Sequence, residues 1–175
     1  MNRQGFLYLP EAPIAEQKVN KARWNSTRKK DDAAFFTIGY SGRTADDFIR
    51  SLTEAKVACL IDVRFSPVSQ FKPEFSKNNL ARLLAENEIG YLHRPDLGVP
   101  RDVRAKAIET HTRTVIWDWY DEHVASPSFG SNLTLFFNWA EHPVALMCTE
   151  HDPTSCHRHR LTLALERHGL MGYDL

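Results

Sequence analysis

No run of apolar residues in this 175-residue chain approaches the roughly 18 needed to cross a bilayer. The opening, MNRQGFLYLPEAP, has neither the charged head nor the long greasy stretch of a secretion signal, so a cytoplasmic location is expected. Cysteine is scarce and odd in number. Cys59, Cys148 and Cys156 do not point to a disulfide framework, which leaves thiol chemistry or metal binding open. Net charge is also lacking, with 22 Lys and Arg against 22 Asp and Glu, so overall electrostatics argue neither for nor against a polyanionic partner. No segment repeats and none is of low complexity. What is present builds a core: 42% apolar residues with ten Phe and four Trp exclude wholesale disorder and fit one domain of ordinary size.

Charge is uneven along the chain. Residues 1–30 carry seven basic side chains against Glu11 and Glu16, and the rest is correspondingly acidic. Residues 1–33 show neither a period of 2 nor one of 3.6 and are punctuated by Pro10, Pro13 and the run Arg28-Lys29-Lys30-Asp31-Asp32. They are expected to form a basic N-terminal arm, ordered only if it docks on the body, with a single α/β domain over 34–175. Lys18, Lys21, Arg23, Arg28, Lys29 and Lys30 are the arm's candidate contacts to nucleic acid.

From Ala34 onward, short apolar runs alternate with amphipathic stretches. Ala34–Tyr40 suits a buried strand ending at a Ser41-Gly42 turn. Thr44 to Asp47 resembles a capping box, and the helix it opens puts Phe48, Leu52 and Ala55 on one face. Val57–Val63 reads as a second strand covered on both faces, with Cys59 in the core. Ser76–Asn87 reads as a helix with Leu80, Leu83 and Leu84 inward, and Gly90–His93 as a third strand. Residues 102–141 look mainly helical, with one stripe of Val115, Ile116, Trp119 and Tyr120 and another of Leu133, Phe136, Phe137 and Ala140. Val144–Cys148 is the last clear strand, followed by a helix starting near Cys156 and closing at Gly169. Such alternation predicts a three-layer α/β fold, a mostly parallel sheet flanked by helices on both faces.

Ligands of such sheets collect beyond the strand carboxyl ends. Reading past each end gives Tyr40, Ser41 and Arg43, then Asp62 and Arg64, then His93 and Arg94, and finally Cys148 and Glu150. The densest segment runs Cys148-Thr-Glu-His-Asp-Pro-Thr-Ser-Cys156-His-Arg158-His-Arg160. If Cys156, His157 and Arg158 occupy a first helical turn, its N–H groups favour an anion or a thiolate at Cys156. Four cationic residues crowding that end call for negative charge, from Glu150 and Asp152 or from a bound anion. Asp62, closing a buried strand, needs a partner such as Arg64, Arg94 or Arg158.

Three chemistries fit. Cys148 or Cys156 acts as nucleophile with His157 as base; or Glu150 or Asp62 moves protons while the thiols pack a corner; or Cys148, Cys156 and His157 hold zinc. The seven-residue gap between the thiols departs from the usual Cys-x₂₋₄-Cys, and a histidine directly beside Cys156 does not easily face the same ion, so no metal is expected.

These segments resemble the prokaryotic family catalogued as domain of unknown function 488, over about Phe36 to Gly169. The resemblance rests on Thr37–Arg43 with Phe48, Leu60–Arg64 through Phe75-Ser-Lys77, Gly90–His93 with Leu97-Gly98, and Ala145–Glu150 with Cys156-His-Arg158. It implies the α/β fold and one site made of the strand-end residues, and it names no reaction or cofactor. The expectation is an enzyme on an anionic, nucleotide-like substrate. Cys148, Glu150, Cys156, His157 and Asp62 would do the chemistry, and Tyr40, Ser41, Arg43, Arg64, His93, Arg94 and Arg158 would bind. The rival readings are a non-catalytic nucleic-acid-associated module and a zinc-stabilised adaptor.

Overall fold

β-branched and aromatic runs bounded by turns become five strands: β1 (Phe35–Gly39), β2 (Cys59–Asp62), β3 (Gly90–His93), β4 (Val144–Cys148) and β5 (Gly172–Asp174). In this computed structural model, which describes residues 12–129 and 143–175, they form one sheet of order β3-β2-β4-β1-β5. Every pairing is parallel. Between the strands lie α2 (Ala45–Glu54), α3 (Lys77–Ala85), α4 (Arg101–Glu109), α5 (Thr114–Val124) and α6 (Arg158–Glu166), with α1 (Ile14–Asn25) ahead of them.

Alternate residues along a strand face opposite sides, so each central strand feeds two cores. On one side Phe36, Ile38, Leu60, Ala145 and Met147 pack against Phe48 and Leu52 of α2 and Leu80 and Leu84 of α3. On the other, Phe35, Ile61, Leu146 and Cys148 pack against Ala107 of α4, Ile116 and Tyr120 of α5, and Leu161 and Leu165 of α6. This is the expected three-layer arrangement. Thr44 caps α2 as its sequence implies, its side chain accepting from the Asp47 N–H at 3.1 Å.

Several boundaries differ from expectation. A fifth strand follows Gly169, whose φ of +83° turns the chain back into the sheet beside β1. Cys59, expected in the core, is only half-buried, because it opens β2 next to the edge strand. The last helix starts at Arg158, after a 3-10 turn at Pro153–Ser155, so Cys156 precedes it and His157 stands at its cap. The stripe Leu133, Phe136, Phe137 and Ala140 lies outside the described residues.

The helix α1 carries no sequence signal because it is polar on its inner side. Gln17, Lys21 and Asn25, spaced by four, turn to the body, while Ile14 and Val19 are exposed. The Asn25 amide bonds both backbone groups of Asp174, donating to its carbonyl at 2.8 Å and accepting from its N–H at 3.2 Å. That pairing satisfies the open edge of β5. Lys21 binds the carboxylate of Asp174 and the carbonyl of Leu175. Arg28 forks onto Glu166 with two bonds of 3.0 Å and lies over the Trp24 ring.

At the tip of β1, Gly39 lies directly under the loop after β4. A Cβ there would stand 1.7 Å from the carbonyl oxygen of Glu150. Gly39→Ala therefore should cost about 2–3 kcal/mol by overpacking against backbone that cannot rotate away. Urea denaturation checks it; a change within experimental error contradicts this packing.

Candidate functional site

The strand ends gather at one rim, since Asp62 lies opposite Met147 and Gly39 opposite Cys148 in the parallel register. Strand alternation nevertheless divides their side chains between the two faces of the sheet. The single cluster expected from the sequence is three groups.

On the α2/α3 face, Asp62 is wholly buried and receives Arg64 through Nε at 2.9 Å and Nη2 at 2.6 Å, with the Arg64 N–H at 3.1 Å. The Tyr91 hydroxyl donates to the same carboxylate at 2.7 Å. Burial and the neighbouring carboxylate push the Tyr91 phenol up. Arg64 also donates to the carbonyl of Phe75 and stands 3.4 Å from the hydroxyl of Tyr40, whose ring stacks on Phe75. Burial works against the Arg64 charge, but Asp62 more than compensates and raises its pKa.

A second group centres on Arg158, which is fully buried. Its guanidinium donates to the carbonyls of Glu150 at 2.5 Å and His151 at 3.0 Å and to Asp174 at 3.2 Å. Asp174 also accepts from Thr37 and pairs with Lys21. Burial opposes the positive charge of Arg158, and Asp174 restores and raises it. The negative charge that the Arg-rich segment requires is thus supplied by Asp174 from β5 and, for Arg160, by Asp121 at 3.5 Å. Glu150 adds a smaller favourable charge to Arg158, and Asp152 is engaged elsewhere. Asp152 instead accepts from Thr154, Ser155 and Asn20.

The third group lies on the α4/α5/α6 face. Cys148 Sγ at the tip of β4 is 3.7 Å from His157 Nδ1 and 3.7 Å from Glu150 Oε2. Cys156 Sγ is 3.9 Å from the same ring nitrogen. The two thiols are 1% exposed and His157 2%, so all three are closed off from bulk water. Sulfur, sulfur and nitrogen all lie within 4.8 Å of one another. His157 and Cys156, though adjacent in sequence, do face one point, which corrects the spacing argument against convergence. The bend from the 3-10 turn into α6 swings His157 back over Cys156. His157 Nε2 lies 3.1 Å from the carbonyl of Val63. A carbonyl only accepts, so Nε2 donates its hydrogen to Val63, and the tautomer protonated there alone presents its Nδ1 lone pair to both sulfurs.

The expected thiolate at Cys156 is also corrected. Burial, then Cys148 and Glu150 beside it, push the Cys156 thiol well above its ordinary value, against the opposing effect of His157. Glu150 behaves oppositely. Burial opposes its charge, but Arg104 and Arg113 outweigh it and hold the carboxyl below the usual range. Arg113 Nη1 is 3.7 Å from Glu150 Oε1 and 2.7 Å from the carbonyl of Ser155. These two arginines sit on α4 and in the turn before α5, away from any strand end, and sequence reasoning missed them; it also missed Tyr91, Thr37 and Asp174. Alternation along Gly90–His93 gives a signal for Tyr91 alone.

The remaining candidates serve the fold or the surface. Arg43 donates to the carbonyls of Gly39 and Leu175 and to Ser51. Ser41 is half-exposed, and its N–H reaches the carbonyl of Thr149 at 2.9 Å. His93 Nε2 donates to the carbonyl of Arg64 at 2.9 Å. Arg94 forks onto Asp96. Of the arm's cations, Lys21 and Arg28 are engaged as described, while Lys18, Arg23, Lys29 and Lys30 are exposed.

Fold and corner together define the class: a parallel three-layer α/β protein with a buried thiol–imidazole pair and a carboxylate on one strand tip. Within that class the chain belongs to the family described as Domain of unknown function DUF488, whose model matches residues 44–165. That span begins after the Thr37–Arg43 block and stops short of Gly169, but it holds α2 through most of α6 and every residue of the thiol corner. No curated protein and no solved structure matches the chain. Among the described residues no helix is long and apolar enough to cross a membrane.

Two measurements check these environments. Arg64→Leu strands Asp62 without its cation and should cost about 3–5 kcal/mol in urea unfolding, and Asp62→Asn added to it should recover part of the loss. His159, with its ring edge-on to Trp24 and Trp117, is pushed down to about 4, mainly by burial and then by neighbouring cations against its bond to the Cys156 carbonyl. A depressed imidazole means that the unfolded chain binds the proton first. Its stabilisation is therefore complete above about pH 6.5 and lost as pH falls toward 4. Wild type should lose about 1–2 kcal/mol more than His159→Gln between pH 7 and pH 5; parallel curves contradict it.

Proposed function

We propose that the chain is an enzyme acting on an anionic, phosphate-bearing substrate at the thiol corner, with Glu150 moving the proton. The observation that carries this is the placement of one carboxylate. Glu150 stands 3.7 Å from Cys148 Sγ on one side and 3.7 Å from the guanidinium of Arg113 on the other. A carboxylate between a thiol–imidazole donor set and half-exposed cations has a polar, electron-rich side for chemistry and a positive side for holding charge. Arg104 and Arg113 replace Arg64, Arg94 and Arg158 as anion holders in this reading, because they are the half-exposed cations beside Glu150, whereas Arg64 and Arg158 are buried against carboxylates away from it and Arg94 forks onto Asp96. Cys148, Cys156 and His157 are the groups nearest the reacting centre. Asp62 is reassigned from proton transfer to positioning, since its oxygens are engaged by Arg64 and Tyr91 on the opposite face of the sheet.

The arm's exposed Lys18, Arg23, Lys29 and Lys30 leave a nucleic-acid-linked substrate compatible with this reading, though they lie on or just beyond α1 rather than at the corner.

Two experiments test it. Calorimetric titration with inorganic pyrophosphate and nucleoside monophosphates should show binding that weakens roughly tenfold or more in Arg104→Gln/Arg113→Gln, as expected for lost charge-assisted hydrogen bonds. Turnover of phosphate monoesters and diesters should vanish in Glu150→Gln while its unfolding free energy changes by less than about 1 kcal/mol. Unchanged anion binding in the double variant, or a Glu150→Gln protein that loses several kcal/mol, overturns the proposal in favour of a purely structural corner.

A further inference from the structure

The thiol corner has the dimensions of a coordination sphere. Around a tetrahedral zinc ion, Zn–S bonds of about 2.3 Å and Zn–N bonds of about 2.0–2.1 Å put sulfur and nitrogen about 3.5 Å apart and two sulfurs about 3.8 Å apart. Here Nδ1 of His157 lies 3.7 Å from Cys148 Sγ and 3.9 Å from Cys156 Sγ, and all three atoms fall within 4.8 Å of one another. An ordinary apolar core contact has no reason to aim three donor atoms at one point.

The ring is also held as a ligand's ring is held. A metal-binding histidine characteristically donates its other N–H to a carbonyl or carboxylate, which fixes the tautomer and aims the lone pair. His157 does so through Nε2 to Val63, on the neighbouring strand. The set is buried, yet on its outer side it meets Glu150, which Arg113 links to half-exposed surface.

From this geometry we infer that Cys148, Cys156 and His157 bind one zinc-class divalent ion, leaving a fourth position beside Glu150. Two thiols and an imidazole are soft and borderline donors, which suit zinc over magnesium or calcium. Three protein ligands with one place open is the composition of catalytic sites. Binding releases two thiol protons to solvent, so two thiolates neutralise the ion's two charges and the buried corner gains no net charge. The role in turnover rests on the function proposed above; the site itself does not.

Cobalt(II) is the probe. Reduced, metal-stripped full-length protein is titrated anaerobically with cobalt, then with zinc. The expected result is one equivalent bound, with a thiolate-to-cobalt charge-transfer band and the intense visible bands of tetrahedral cobalt, both erased by one equivalent of zinc. Cys148→Ser and Cys156→Ser should each weaken binding roughly a hundredfold or more, beyond what loss of an outer-shell partner does, while Cys59→Ser leaves the spectrum unchanged. In wild type, zinc should protect two of the three thiols from alkylation, a readout independent of whether the variants fold. No tetrahedral spectrum and no protection, with all three thiols shown to be reduced, overturns the site. Cobalt binding without anion binding or turnover keeps the site and removes the enzymatic role; anion binding and turnover without cobalt do the reverse.

Discussion

One buried guanidinium organises the rim where the strand ends gather. Arg158 reaches the carbonyls of Glu150 and His151 and the carboxylate of Asp174 from the first residue of α6. Removing such a group from water is costly, and only a full set of partners makes it tolerable. Those partners come from the loop after β4 and the terminal strand β5, and through Asp174 the pair extends to Lys21 of α1. The position of the Glu150 backbone, pressed onto Gly39 and tied to Arg158, sets where its carboxylate stands beside Cys148. The thiol corner is thus fixed from the Arg158 side.

Strand alternation is the second constraint. Asp62 and Cys148 end adjacent parallel strands, yet Asp62 belongs with Tyr40, Tyr91 and Phe75, whereas Cys148 belongs with Val63, Cys156 and Tyr120. Backbone bridges the two sides: His157 on one face grips the carbonyl of Val63, and the Asp62–Arg64 turn flanks that residue on the other. The aspartate–arginine pair therefore shapes the turn that orients the imidazole, which is a structural contribution to the corner at one remove.

Much of this was legible in the residues. Apolar runs such as Val144–Cys148 and the capped helix after Thr44 announce themselves because their patterns answer to local sterics and burial. The collection of strand ends at one rim follows from parallel topology alone. What could not be read is which polar group meets which. Arg158 finds Asp174 across sixteen residues, and Arg113 finds Glu150 from a turn with no motif, because such pairings depend on how layers stack. Linear spacing also misled: neighbouring residues ordinarily diverge, but the bend before α6 folds His157 over Cys156. The helix α1 was invisible for the inverse reason, its periodicity being written in amides and lysine rather than in hydrocarbon.

That inverted helix has a consequence for the architecture. Most peripheral helices adhere because peeling them away bares oily surface to water. Here the join is largely a set of amide and ionic clasps between Gln17, Asn20, Lys21, Asn25 and Arg28 and the opposing strand, loop and helix. Each clasp trades a bond to water for a bond to the body, so the seam holds through the number and shelter of its polar pairs, and one of them, Asp174, is shared with the buried Arg158.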